Sequence, residues 1–381
     1  MEVKQIYGLL NSVTSEILGK TGLIAEDLSN IVDVGTEVFN SGVDSYVKSL
    51  VNHIGKVIFV NRPYSGKVPS VLMDSWEFGS ILEKVSAEIP EATENETWDL
   101  VDGQEYKQDV FHKPTVSAKF FNSKITFEVE ISITERQVKE SFSNASQLNG
   151  FLSMLYDAVD KSMTIKADAL IMRTINNMIC ETATDANANR FVNVLALYNA
   201  KFNKSLTADK AIFDADFIRF ASYIVSLYAD RLGTISTLFN IGGKARFTSK
   251  DALHVVLLSD FAKGAETYLY SDTQHENFVK LPNAETVPYW QASGKNYAFA
   301  DVSKIIRKGA TESEDLTVSG VIGVMFDRNS MGVSNLSKRV TSNYNAKAEF
   351  YNNYYKFDAG YFNDTNENFV VFYVADPVPA E

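Results

Sequence analysis

Over residues 146–182 the apolar positions recur at steps of three and four without a break. Leu148, Phe151, Leu152, Leu155, Tyr156, Val159, Met163, Ala167, Leu170, Ile171, Ile175, Met178 and Ile179 hold that spacing, with no proline and only Gly150 near the start. The pattern predicts one amphipathic helix about 50 Å long at 1.5 Å per residue, where an ordinary globular helix makes three or four turns. Such a rod is either a girder in an extended subunit or a core helix of a large α/β enzyme.

Upstream, residues 6–18 carry a helical signal, 19–22 a loop, and the segment through Asn40 is irregular, so the N-terminus reads as an arm. Val43, Tyr46, Val47, Leu50, Val51 and Ile54 predict a compact amphipathic helix that Gly55 ends, followed by a strand over 56–60. Residues 65–123 are different: periodicity is poor, and four of the eight prolines lie between Arg62 and Pro114. Within them Glu88, Glu91, Glu94, Glu96, Asp99, Asp102 and Glu105 form a stretch with no Lys or Arg. Charge of that density is not buried alone, and a loop of this length in a compact domain is a functional excursion or disorder. The flanks favour an excursion. A strand signal covers 116–121, and Ile125, Phe127, Val129, Ile131 and Ile133 alternate with polar residues at period two. Paired with the strand at 56–60, this second strand would make a hairpin arm with the acidic stretch at its tip.

A short helix is expected near 134–141, before the long one. Beyond it the pattern predicts helices at 190–200, 215–232 and 260–269, and strands at 253–258, 321–326 and 368–374, with an aromatic-rich run from Tyr344 to Phe362 between the last two strands. There is no internal repeat.

Composition narrows the function. A chain of 381 residues with 45% hydrophobic content builds a sizeable core in two or three domains or one multi-part subunit. The net charge of −12 argues against a protein that grips nucleic-acid phosphates. The single cysteine, Cys180, excludes an intramolecular disulfide and a CxxC site. Without a bilayer-spanning apolar run or a secretory signal, the chain reads as made and used in the cytoplasm.

Catalytic constellations are missing. Neither a phosphate-cradling loop, a dinucleotide GxGxxG nor a GxSxG elbow occurs. His53, His112, His254 and His275 are scattered, and structural or surface roles are expected for each. Asp364-Asn366-Asn368 and Asp185-Asn187-Asn189 imitate the start of a calcium loop but lack its glycine and its closing glutamate, so turns or caps are expected. Cys180 reads as a small buried residue. No catalytic residue, cofactor or metal is expected. What remains is charge layout: Arg328, Lys338, Arg339, Lys347 and Lys356 face only Glu349 across residues 328–356. The acidic tip and this basic region are expected to meet between neighbouring copies, where complementary charge fixes register, with two solvated surfaces as the alternative.

The order of parts resembles the major capsid protein of tailed bacteriophages, the Hong Kong 97-type fold, and stretches 56–62, 125–137, 321–333 and 354–374 are similar in texture to phage capsid sequences. The resemblance implies an α+β chain with an N-arm and first P-domain elements at 1–64, an E-loop hairpin at 65–124, a P-domain with its spine helix at 125–184, an α/β A-domain at 185–335, and C-terminal P-domain strands at 336–381. It implies a structural protein, not an enzyme, that forms hexamers and pentamers in an icosahedral virion shell around double-stranded DNA. Its partners would be copies of itself, a scaffolding protein and a portal, with only weak non-specific DNA contact and no membrane, and assembly would take place in the host cytoplasm. Two other readings stay open here: an encapsulin-type nanocompartment shell, and a soluble ligand-binding protein or enzyme with a long core helix.

Overall fold

The computed structural model describes residues 11, 68–73, 82–90, 92–106, 109, 111–134, 136, 145–270, 284–290, 305–307 and 316–376. The expected elements at 43–54 and 56–60, all but Asn11 of the helix at 6–18, and all but Thr134 and Arg136 of the short helix at 134–141 lie outside the described residues. The chain divides into two compact units. The first comprises 1–75, 124–171 and 333–360, and the second 76–123, 172–332 and 361–381.

In the first unit the strands are β1 (Leu72–Met73), β4 (Lys124–Thr134), β11 (Met331–Asn345) and β12 (Phe350–Asn363), ordered β1-β11-β12-β4. β4 pairs antiparallel with β12 from Lys124↔Gly360 to Thr134↔Phe350. Period-two alternation sorts the two faces. Phe127 and Phe357 are buried and stack at 6.0 Å, and Tyr351, Tyr355 and Ile133 are also buried. Glu128, Thr126, Lys356 and Asp358 share the polar face, where Lys356 Nζ lies 3.1 Å from Glu128 and the Thr126 hydroxyl donates to Asp358 at 2.6 Å. At the β11–β12 turn Asn345 accepts from the backbone of Lys347 and Ala348, and Glu349 sits at φ 51°.

The long helix, α1 (Ala145–Asp185), has 41 residues, which is about 60 Å. Its C-terminal half departs from the expected one-sided stripe. From Ala167 to Thr182 only Asp168, Arg173, Asn177 and Glu181 are half-exposed, and every other residue is buried, including Thr174, Asn176 and Thr182. A helix covered almost all round is a core helix with one narrow polar seam. Thr182 returns its hydroxyl to the Met178 carbonyl at 2.8 Å, which satisfies it without a tertiary partner.

The second unit is built on a mixed five-stranded sheet ordered β5-β13-β10-β6-β7, from β5 (Phe191–Asn193), β6 (Leu253–Leu258), β7 (Ala284–Val287), β10 (Val321–Asp327) and β13 (Phe369–Tyr373). Helices α2 (Val194–Phe202), α3 (Ala208–Ala211), α4 (Ala215–Leu232) and α5 (Ser259–Tyr270) contribute with one face of this sheet to the core, including Leu195, Phe217, Ala221, Phe261, Val255, Leu257, Val370 and Phe372. Val256, Val324 and Val371, which alternate with that set, are buried too. A strand buried on both faces reads as an unbroken apolar run. β13 lies between β5 and β10 in this sheet, an interior place that fits its burial on both faces. Residues 190–200 also depart from the expected helix: Phe191–Asn193 pairs parallel with β13, and the helix begins only at Val194, where Asn193 caps the Ala196 N–H at 3.1 Å. A small β8 (Ile305–Arg307) and β9 (Leu316–Val318) ladder completes the unit.

Candidate intersubunit surface

The acidic stretch is carried by a two-stranded antiparallel hairpin of the second unit, β2 (Leu82–Ala87) with β3 (Val116–Phe121), in register from Leu82↔Phe121 to Ala87↔Val116. The expected partner at 56–60 lies outside the described residues; the long strand at 124–134 pairs with β12, and the strand that leads into the tip is Leu82–Ala87, inside the stretch read as an irregular excursion. Its alternation of Leu82, Lys84 and Ser86 with Glu83, Val85 and Ala87 carries little hydrophobic contrast, so the period-two signal was weak.

Beyond the hairpin, every residue from 89 to 114 whose side chain is described is exposed. Local bonds shape the segment. Asn95 accepts from the Thr97 N–H at 3.0 Å ahead of a 3-10 turn at Glu96–Trp98, the Val101 N–H donates to the Tyr106 hydroxyl at 2.9 Å, and Gly103 takes φ 82° in the turn that follows. Of the candidate acidic residues, Glu88 pairs with Lys244, Glu94, Asp99, Asp102 and Glu105 are exposed, Glu96 opens the 3-10 turn, and Glu91 lies outside the described residues. The sequence reading missed the apolar content beside this charge. Trp98 is 94% exposed and Phe111 86%, with Ile89, Leu100 and Val101 also exposed. A Trp and a Phe in an aperiodic acidic stretch were the available signal.

The candidate basic residues lie on the β11–β12 hairpin of the first unit. Lys338, Arg339 and Lys347 are exposed, and Lys356 is half-buried. Arg339 pairs with Asp358 across the strands, Lys356 with Glu128, and Lys338 Nζ stands 5.9 Å from the Phe357 ring centre. The structure therefore gives Arg339 and Lys356 carboxylate partners of their own, while the acidic tip belongs to the other unit.

At the base of the acidic hairpin is a second charged cluster that sequence reading did not assemble. Lys84 Nζ lies 2.7 Å from both Asp364 and Glu367 and donates to the Asn329 carbonyl at 3.1 Å. Lys119 Nζ reaches Asp364 at 2.9 Å, and Arg246 Nε lies 3.4 Å from Glu367. The groups line a cleft of about 130 Å³ with Ser86, Ser117 and Asn366. Burial alone would push the Asp364 carboxyl up. The hydrogen bonds from Lys84, Lys119 and the Asn366 backbone outweigh it and hold the carboxyl below its usual range. Asp364 and Asn366 do belong to a turn, as expected, and the turn presents Asp364 to the hairpin. The other calcium-like run is also a turn, with the Asn189 N–H on Asn187 and Asp185 paired to Arg190.

The half-exposed seam of α1 opens on a wider cleft of about 520 Å³, where Arg307 pairs with Glu181 and Arg173 lies 5.9 Å from the Tyr361 ring centre. Cys180 beside it is buried, and its thiol is pushed up to about 11 by that burial. His254 is half-buried, its imidazole held below the usual value by burial, and His112 is exposed; His53 and His275 lie outside the described residues. Among the described residues no group of three or more His, Cys, Asp or Glu is placed to hold a metal ion, and no helix is long and apolar enough to cross a membrane.

The fold has counterparts among solved structures. The capsid structure of Staphylococcus phage Andhra shares it with a TM-score of 0.53 at 9% identity, over 83% of this chain and 86% of that one. The structure of head fiber and inner core protein gp22 of native bacteriophage P68 matches with a TM-score of 0.51 at 9% identity, over 82% and 86% of the two chains. No curated protein sequence matches significantly. At the level of sequence, the model of the Phi29-like phage major capsid proteins matches residues 10–373, nearly the whole length, and the chain belongs to that family.

Proposed function

We propose that this capsid subunit assembles into hexamers and pentamers that close an icosahedral shell around a double-stranded DNA phage genome, with each copy's acidic hairpin tip engaging its neighbours. The observation that carries this reading is the excursion itself: a long segment that exposes Trp98 and Phe111 almost fully and has no buried side chain among its described residues. Apolar surface of that kind is covered in an assembly. Rings with closed symmetry use one interface repeatedly, and slight flexing of that interface closes a shell. The family match favours neither the nanocompartment nor the soluble-enzyme reading. A net charge of −12 suits an inner wall that contacts packaged DNA only weakly. A scaffolding protein, a portal and assembly in the host cytoplasm complete the proposal.

Electron microscopy of the purified chain, alone and with a co-expressed scaffold, tests it. Closed shells or five- and six-membered rings are expected, and a homogeneous monomer under all salt conditions would overturn the reading. The proposed receiver of the tip is the basic face formed by Lys338, Arg339, Lys347 and Lys356 of a neighbouring copy. The probe is the pair Lys338→Glu with Lys347→Glu, both exposed. The double reversal is expected to reduce shell yield several-fold, most strongly at low salt, where charge contacts are least screened. Unchanged yield at low salt would sink the pairing.

A further inference from the structure

We propose that Asp364 and Glu367 form a receptor for the two hairpin lysines, an ion-pair latch that holds β2–β3 against its own unit and releases it when the latch is discharged. No residue of either strand is buried. An isolated two-stranded hairpin is marginal in water, so its placement depends on what its base touches. Among the described residues those contacts are few. Phe121 meets Phe362 at 5.0 Å at one end, and Lys244 pairs with Glu88 at the other. Between them stand Lys84 on β2 and Lys119 on β3, both on Asp364.

The carboxylates are built into the rigid part of the unit. The Asp364 side chain is 2% exposed and that of Glu367 11%. The Asp364 N–H donates to the Ser330 carbonyl at 2.7 Å, and the turn leads directly into β13, an interior strand of the sheet. The Lys84 ammonium therefore sits in a nest of two carboxylates and the Asn329 carbonyl. The charged groups facing it are Lys119 from β3, Arg246 from the loop before β6, and Asp364 and Glu367 themselves. A carboxylate this deep is stable in its charged form only while the lysines are docked. Protonating Asp364 removes the acceptor that both lysines share, and the hairpin swings free without disturbing the sheet.

Because Asp364 titrates below its unfolded value, its contribution is present above about pH 4 and is lost as the pH falls through the folded value. The latch belongs to one subunit, so it is tested on unassembled chain and does not depend on shells forming. Spin labels at Ala118→Cys on the hairpin and Lys250→Cys in the same unit report the separation. Buried Cys180, with its thiol raised to about 11, stays unlabelled.

One narrow distance is expected at pH 7. Asp364→Asn at pH 7 is expected to broaden and lengthen it, and the unsubstituted latch is expected to do the same as the pH falls through the folded value of Asp364. Lys84→Met with Lys119→Met alters only the hairpin side and should give the same broad distribution at pH 7, which keeps the test decisive if Asp364→Asn misfolds. A narrow, unchanged distance in the double lysine variant, with the sheet folded by circular dichroism, overturns the latch.

Discussion

Replacing residues 89–114 with Asn-Gly is expected to leave a well-folded subunit that no longer closes shells. The new turn would join Glu88 to Thr115, which are already paired through the Glu88 N–H and the Thr115 carbonyl at 2.9 Å, and Asn-Gly is the two-residue link that antiparallel strands prefer. No residue with a described side chain in the excised segment is buried, so those residues contribute no core contact. Shortening the connection lowers its closure entropy, a gain on the order of 2 kcal/mol. The lost surface includes Trp98, Phe111, Leu100 and Val101, apolar area that the subunit itself never buries. Stability and assembly should therefore separate: thermal melting by circular dichroism stays at or slightly above the parent value, while negative-stain microscopy shows free subunits. Abundant shells from the shortened chain would show that the tip is dispensable, and a large fall in melting temperature would show that it supports the fold.

The legible parts of this chain are those where burial and secondary-structure period agree. The helix at 215–232 matches α4 residue for residue, because Phe217, Ala221, Ile224, Val225 and Tyr228 repeat on one face while Asp214 supplies the N-cap to Phe217 at 2.8 Å. The strand at 253–258 matches β6 as closely, because it is apolar on both faces and bounded by turns. The long helix was found but its environment was not: Thr174, Asn176 and Thr182 stand outside the apolar repeat and are nevertheless buried. Partner choice was not legible either. Strand 124–134 advertises itself, yet nothing local says that it pairs with a strand more than two hundred residues away. β11 was missed because its outer half, with Lys338, Arg339, Thr341 and Ser342, is polar and held by cross-strand pairs such as Arg339–Asp358 instead of by a core.

The charged surfaces follow the same rule. The acidic stretch was visible because it is contiguous, and the basic hairpin because it is nearly so. Lys84, Lys119, Arg246, Asp364 and Glu367 were invisible because each is isolated in sequence, and only the path of the sheet brings them within hydrogen-bond reach. Asp364 was read as a turn residue, correctly, but a turn signal does not say what the carboxylate faces.

Phe372→Ala should produce the largest loss of stability among single substitutions in the second unit. Phe372 lies in the interior strand β13, is fully buried, and meets Tyr228 of α4 edge to face at 5.3 Å, so it joins the sheet to its helix layer. Truncation removes the transfer energy of the ring and leaves a cavity between two rigid elements that cannot close over it, a cost of about 3–5 kcal/mol. Against a total of about 5–15 kcal/mol for a folded domain, that is a large fraction. The unit's melting temperature is expected to fall by roughly 10 °C in calorimetry. Phe372→Leu keeps much of the volume and should cost well under half as much. The loss also reaches the hairpin, because Asp364 and Glu367 occupy the turn that enters β13: on heating the alanine variant, release of the hairpin should coincide with melting of the sheet. A change below about 1 kcal/mol would mean that the helix layer settles onto the sheet without this ring, and that the anchor of the latch lies elsewhere in the unit.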